Sequence, residues 1–169
     1  LVRSIFEAFD QEEPDILLDD PNEIPVWLDT LIHIASMTRD LKDIREARRA
    51  VRAIPPKKKI FDLMRVRALV RLGTALGDIR ALSSARETAM GMKGRMQSMA
   101  LIALVQGYIH MQRFGAARRT AIAVRDITLR CGALLAIAEA AGEAKDSSSA
   151  YAAFLGIRSR DERSLLAPR

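Results

Sequence analysis

The chain has 169 residues, near the size of one domain, with 49% hydrophobic but only 5% aromatic residues, one cysteine and a formal net charge of +6. That length supports a continuous core without staples, and a lone Cys131 excludes an internal disulfide or a cysteine-cluster metal site, leaving it as a small apolar packing residue on a helix. Abundant Ala, Leu, Arg and Met favour helices over sheets, and with no run of 18 or more apolar residues the chain reads as soluble rather than membrane-spanning.

The charge is divided along the chain. Residues 1–43 hold eleven acidic and three basic side chains, a net of −8, whereas residues 44–169 hold ten acidic and twenty-four basic, a net of +14. This is the pattern of an acidic tail or cap on a basic body. The chain begins at Leu1 rather than Met, so it reads as an excised domain or one that has lost a leader, with the cytoplasm as the default compartment and export left open. Residues 1–24 are expected to hold a short amphipathic helix, Val2 to Phe9, and an acidic, Pro-punctuated linker around Ile16, Leu17 and Leu18. That linker either packs its three apolar side chains on the body, or lies in a groove or on the basic face as an internal ligand displaced by a partner.

From 25 to 157 the spacing predicts four helix hairpins. Each first helix carries a quartet reading small, bulky, two variable, bulky, small. In chain order these are Thr30, Leu31, Ile34, Ala35; Ala68, Leu69, Leu72, Gly73; Ser98, Met99, Ile102, Ala103; and Ala133, Leu134, Ile137, Ala138. At 3.6 residues per turn the four side chains share one face, and the small ones admit a close neighbour. After a short turn comes a second row, spaced three, four and three. It reads Ile44, Ala47, Val51, Ile54; Leu82, Ala85, Ala89, Met92; Phe114, Ala117, Ala121, Val124; and Ser147, Ala150, Phe154, Ile157. These are apolar stripes of second helices.

Equivalent positions Ile34, Leu72, Ile102 and Ile137 are 38, 30 and 35 residues apart, an average of about 34, the length of a helix, turn, helix unit. From them to Ala47, Ala85, Ala117 and Ala150 is thirteen residues in three repeats and fifteen in the third, which places a turn two residues longer around Met111 to Gly115. Pro55 and Pro56 separate the first hairpin from the second, Gly77 with Asp78 marks the second turn, and Gly91 with Gly94 the break before the third hairpin. Residues 158–169 read as a polar C-terminal cap or tail.

These rows resemble the tetratricopeptide repeat, whose first helix sets a bulky residue three and four places before a bulky and a small one and whose second helix carries Ala. The resemblance covers roughly residues 27–157 and implies an all-α fold, a right-handed α-solenoid of about four antiparallel hairpins. The family's first-helix aromatic is absent, and Thr38, Leu76, Gln106 and Ala141 stand where it has Tyr. A related HEAT-like array is the alternative.

The resemblance also implies that first helices line a concave surface. In this chain that selects Asp29, Ile32, Ser36, Arg67, Val70, Thr74, Gln97, Ala100, Leu104, Leu135 and Glu139 as a partner groove, with Ile32, Val70, Ala100 and Leu135 as an apolar row. A carboxylate clamp is not expected, because the Lys and Asn used by family members that grip a terminal carboxylate are missing. The row is otherwise covered by Val2 to Phe9 or by a second copy of the chain.

A second candidate surface is basic. Arg45, Arg48, Arg49 and Arg52 share a helix face, and Lys57, Lys58 and Lys59 follow. With no aromatic residue between them there is no stacking platform, so any nucleic-acid contact would be electrostatic and sequence-tolerant. A solvated face, or a dock for the chain's own acidic segment, is the plainer reading.

Catalytic patterns are missing. His33 and His110 have no second ligand in register, Glu139 has no companion carboxylate, and Gly91 to Gly94 lacks phosphate-loop spacing. No metal or cofactor is expected. The sequence therefore points to a non-enzymatic scaffold or adaptor that binds a peptide or helix in its concave groove. The alternative is an anion or nucleic-acid binder using the basic helix.

Overall fold

The computed structural model describes residues 24–54 and 61–165. Among them are eight helices and no strand: α1 (Val26–Thr38), α2 (Leu41–Ala53), α3 (Asp62–Leu76), α4 (Ile79–Gly91), α5 (Gly94–His110), α6 (Phe114–Ile122), α7 (Ile127–Glu143) and α8 (Ser147–Leu165). They pair as four hairpins at the positions that the two apolar rows predict. The readings of Val2 to Phe9 and of the acidic linker, Pro55 with Pro56, and Lys57 to Lys59 fall outside the described residues.

Each hairpin turns on one residue in the left-handed region: Arg39 (φ 55), Gly77 (φ 68), Gln112 (φ 54) and Lys145 (φ 59). Glycine is the residue that adopts this conformation without strain, yet it stands at only one of the four turns. Aspartate caps start three of the four second helices and one first helix, α7: the carboxylates of Asp40, Asp78, Asp146 and Asp126 accept from the backbone N–H of Lys42, Arg80, Ser149 and Leu129 at 2.7, 3.0, 3.0 and 3.0 Å.

The third hairpin departs from the expected long turn. Its turn, Met111 to Arg113, has one residue more than Arg39–Asp40 or Gly77–Asp78. Most of the extra length is helix: α5 continues eight residues past Ile102, whereas α1 and α3 end four residues past Ile34 and Leu72. The last helix also runs on to Leu165, beyond the boundary at 157 read from its stripe.

Packing is sequential. The first helices form a layer in which α1 contacts α3, α3 contacts α5 and α5 contacts α7; α2, α4 and α6 also pack on the first helix of the next hairpin. The core divides at α3. Met64, Ala68 and Leu72 belong to a cluster with hairpin one, while Leu63 and Val66 belong to a larger cluster running through to Ala153. Hairpin two closes so tightly that a Cβ on Gly73 would lie 3.0 Å from Leu82 Cγ and 3.1 Å from the Asp78 carbonyl oxygen.

The second-helix rows hold in three hairpins. Ala47, Val51 and Ile54, then Ala85, Ala89 and Met92, then Ala117, Ala121 and Val124 are all buried. In the fourth row Ser147 and Phe154 are exposed and Ala150 and Ile157 are half-buried, while the buried residue of this helix, Ala153, lies outside the row. The side of α8 that would face a following hairpin has nothing stacked on it among the described residues.

Candidate partner groove

An open groove of about 620 Å³ lies on the first-helix layer. Helix α3 contributes Arg67, Val70, Arg71, Thr74 and Ala75, and α5 contributes Met99, Ile102, Ala103, Gln106, Gly107 and His110; Ile24 and Leu129 of α7 complete the wall. A Cβ on Gly107 would sit 2.7 Å from Val70 Cγ1, so α3 and α5 meet there over a bare backbone position. The Thr74 hydroxyl donates to the Val70 carbonyl at 3.0 Å, satisfying itself on its own helix, and its methyl is on the Gly107 side. The result is an apolar floor of Val70, Met99 and Ile102 with two guanidinium groups and an imidazole along it. Arg71 Nε donates to Asp29 Oδ1 at 2.8 Å, tying α3 to α1 at the rim.

Of the residues selected for the groove, Arg67, Val70 and Thr74 line it. Ile32, Ala100 and Leu104 do not: each is 0% exposed and belongs to the core. Their clusters explain why. Ile32 shares a cluster with Met64, Ala68 and Leu72 of α3, and Ala100 and Leu104 share one with Ala133, Leu134 and Ile137 of α7. The row Ile32, Val70, Ala100, Leu135 therefore does not form one surface: Ile32 and Ala100 are core, Val70 lines the groove, and Leu135 is 50% exposed outside the groove wall. Gln97 is buried and donates to the Met90 carbonyl at 3.4 Å. Asp29 is held by Arg71, the Ser36 hydroxyl donates to the His33 carbonyl at 2.7 Å, and exposed Glu139 is not in the groove wall.

Met99, Ile102 and Ala103 are packing residues by their quartet spacing, yet they form the α5 wall, joined by Gln106 and His110. Periodicity shows an apolar face but not which of several neighbours covers it.

On α2, Arg45, Arg49 and Arg52 are exposed. Arg48 has a different job: its Nη2 donates to Asp78 Oδ2 at 2.6 Å, linking hairpin one to the turn of hairpin two. A further device was invisible in the stripes. Arg65, Gln97 and Arg130, near the starts of α3, α5 and α7, donate to the carbonyls of Ile54, Met90 and Val124 at 2.7, 3.4 and 2.9 Å. Each satisfies an orphan acceptor at or just past the end of the preceding second helix. The one sequence signal is that Arg65 and Arg130 both stand three residues before their quartets.

Among the described residues no group of three His, Cys, Asp or Glu could hold a metal ion, and no helix is long and apolar enough to cross a membrane. His33 is exposed on α1, remote in sequence from His110 at the end of α5, and Cys131 is partly buried on α7. Compared with known proteins, the chain matches no family model, no curated protein and no solved structure.

Proposed function

We propose that the chain is a non-enzymatic scaffold, a right-handed tetratricopeptide-like solenoid that holds a segment of another protein in the groove between α3 and α5. The observation that carries this reading is the groove itself: an open channel with an apolar floor of Val70, Met99 and Ile102 beside Arg67, Arg71 and His110. Apolar floors hold an amphipathic helix or extended peptide by burial, and the flanking guanidinium and imidazole N–H donors select hydrogen-bond acceptors such as carboxylates in the bound segment. The layered order supports the architecture, since first helices pack on first helices and second helices pack on the next first helix.

Peptide display against the immobilised chain tests it. Enriched peptides are expected to combine apolar residues with carboxylates, and Val70→Glu with Ile102→Glu should weaken the best of them by at least about tenfold at unchanged helicity. Binding that survives the double substitution contradicts the groove.

A second reading rests on the exposure of Arg45, Arg49 and Arg52, which would neutralise phosphates of a polyanion. A heparin or single-stranded DNA probe would then bind with a steep loss of affinity as salt rises, removed by Arg45→Glu and Arg49→Glu. Salt-independent or absent binding discards it.

A further inference from the structure

The groove carries cations along an apolar floor, and the stretch of chain bonded to one of its wall residues is acidic. Ile24 packs on the cluster of hairpin one and also lines the groove beside α3 and α5. Residues 10–23, which run directly into it, hold seven carboxylates and no Lys or Arg, with Ile16, Leu17 and Leu18 among them. That is the composition the groove selects: apolar side chains for the floor of Val70, Met99 and Ile102, and carboxylates for Arg67, Arg71 and His110. Arg71 stays half exposed although Asp29 holds its Nε, and His110 is exposed at the end of α5.

Leu18 stands six residues before Ile24, and an extended chain of that length reaches roughly 20 Å. Along α3 the groove wall runs from Arg67 to Ala75, eight residues on, which is about 12 Å of helix. The tether therefore spans the floor. The competing surface, Arg45, Arg49 and Arg52 of α2, offers charge alone: exposed guanidinium groups pair with carboxylates but do not bury Ile16, Leu17 and Leu18.

We propose that residues 10–23 are the groove's resident ligand, with apolar side chains from Ile16 to Leu18 on the floor and carboxylates beside Arg67, Arg71 and His110, so that an outside peptide binds by displacing them. The proposal rests on the groove reading and adds the regulation of that site. A short tether gives an effective concentration on the order of 1 mM. A segment that binds in trans with a Kd of about 100 μM then fills the groove about ten to one and raises an outside ligand's apparent Kd about tenfold.

Fluorescence anisotropy tests it with a labelled, end-blocked peptide of residues 10–23 and three versions of the whole chain. These are the parent, a segment variant (Ile16→Ser, Leu17→Ser, Leu18→Ser, Asp19→Asn and Asp20→Asn), and the segment variant with Arg71→Glu and Gln106→Glu added. Both added positions are exposed in the groove wall, so helicity by circular dichroism is expected to match the parent. The segment variant should bind the probe about tenfold more tightly than the parent does, and the groove substitutions should remove that binding. Equal affinity for parent and segment variant overturns the inference, as does a segment variant that does not bind the probe. Loss of probe binding on Arg45→Glu with Arg49→Glu, but not on the groove substitutions, overturns it in favour of the basic face. A parent that sediments as a dimer, where the segment variant is a monomer, overturns it in favour of a second copy's segment. A displayed peptide that depends on Val70 and Ile102 yet binds parent and segment variant alike sinks this inference and leaves the groove reading standing; no groove-dependent peptide with either chain sinks both.

Discussion

Hairpin two and hairpin four are built on the same spacing and differ in their surroundings. Ala89 of α4 is fully buried in the core cluster, while Phe154, at the same position of the last hairpin, is 56% exposed. At this position the exposed residue, Phe, is larger and more apolar than the buried Ala. Burial here is set by the neighbour that stacks on a face and not by the residue that occupies it, which is the nearest-neighbour logic of a stacked array.

The widest split between the two regions is expected from truncating large side chains. Leu82 is 0% exposed and lies against both Gly73 and Gly107, so it joins α3, α4 and α5. Leu82→Ala should lower unfolding free energy by about 2–5 kcal/mol in a urea titration. Leu135→Ala, at an open position, should change it by less than about 0.5 kcal/mol. Equal losses would break the comparison.

A smaller effect tests whether the polar junctions belong to the stack. Arg130 is 6% exposed and its guanidinium caps the Val124 carbonyl at 2.9 Å. Arg130→Met leaves that acceptor unpaired and should lower stability by about 1–3 kcal/mol. Gln97→Leu removes a longer bond, 3.4 Å, and should cost less, which chemical denaturation of both variants would resolve.

The turns give changes of opposite sign. Gly77→Ala places a Cβ at φ 68 and should destabilise by about 1 kcal/mol, whereas Gln112→Gly removes that strain at φ 54 and should stabilise by a few tenths up to about 1 kcal/mol. Thermal unfolding of both variants checks the signs.

The smallest effect concerns pH. The Ser149 hydroxyl, and then its backbone N–H, hold the Asp146 carboxyl below the usual carboxylate value of 3.8. A lowered folded pKa means that this contribution is present above the unfolded value and is lost as pH falls through the folded one. Asp146→Asn should therefore flatten the stability profile only in the acid range below about pH 4, with little change in its shape near neutrality.

How much of this was legible in sequence follows from which contacts repeat. The quartets and stripes locate the eight helices of the described residues, and Gly77–Asp78 and Gly91–Gly94 mark boundaries between them. The groove register was half legible. Arg67, Val70 and Thr74 line the groove as their register predicts, whereas Ile32, Ala100 and Leu104 are core, because 3.6-residue periodicity cannot tell a face turned to a neighbouring helix from one turned to a ligand. The caps from Arg65, Gln97 and Arg130 reach backbone carbonyls, which leave no mark in side-chain patterning. Left-handed turns at Arg39, Gln112 and Lys145 were hidden because none is glycine.

The central claim is that stability passes between hairpins through contacts between successive first helices, with the most extensive burial along α3, α4 and α5. Residue-resolved native-state hydrogen exchange tests it most directly. Protection should be greatest along α3, α4 and α5 and should fall stepwise toward α1 and toward α8. Uniform protection, with every helix opening at the same free energy, would contradict it.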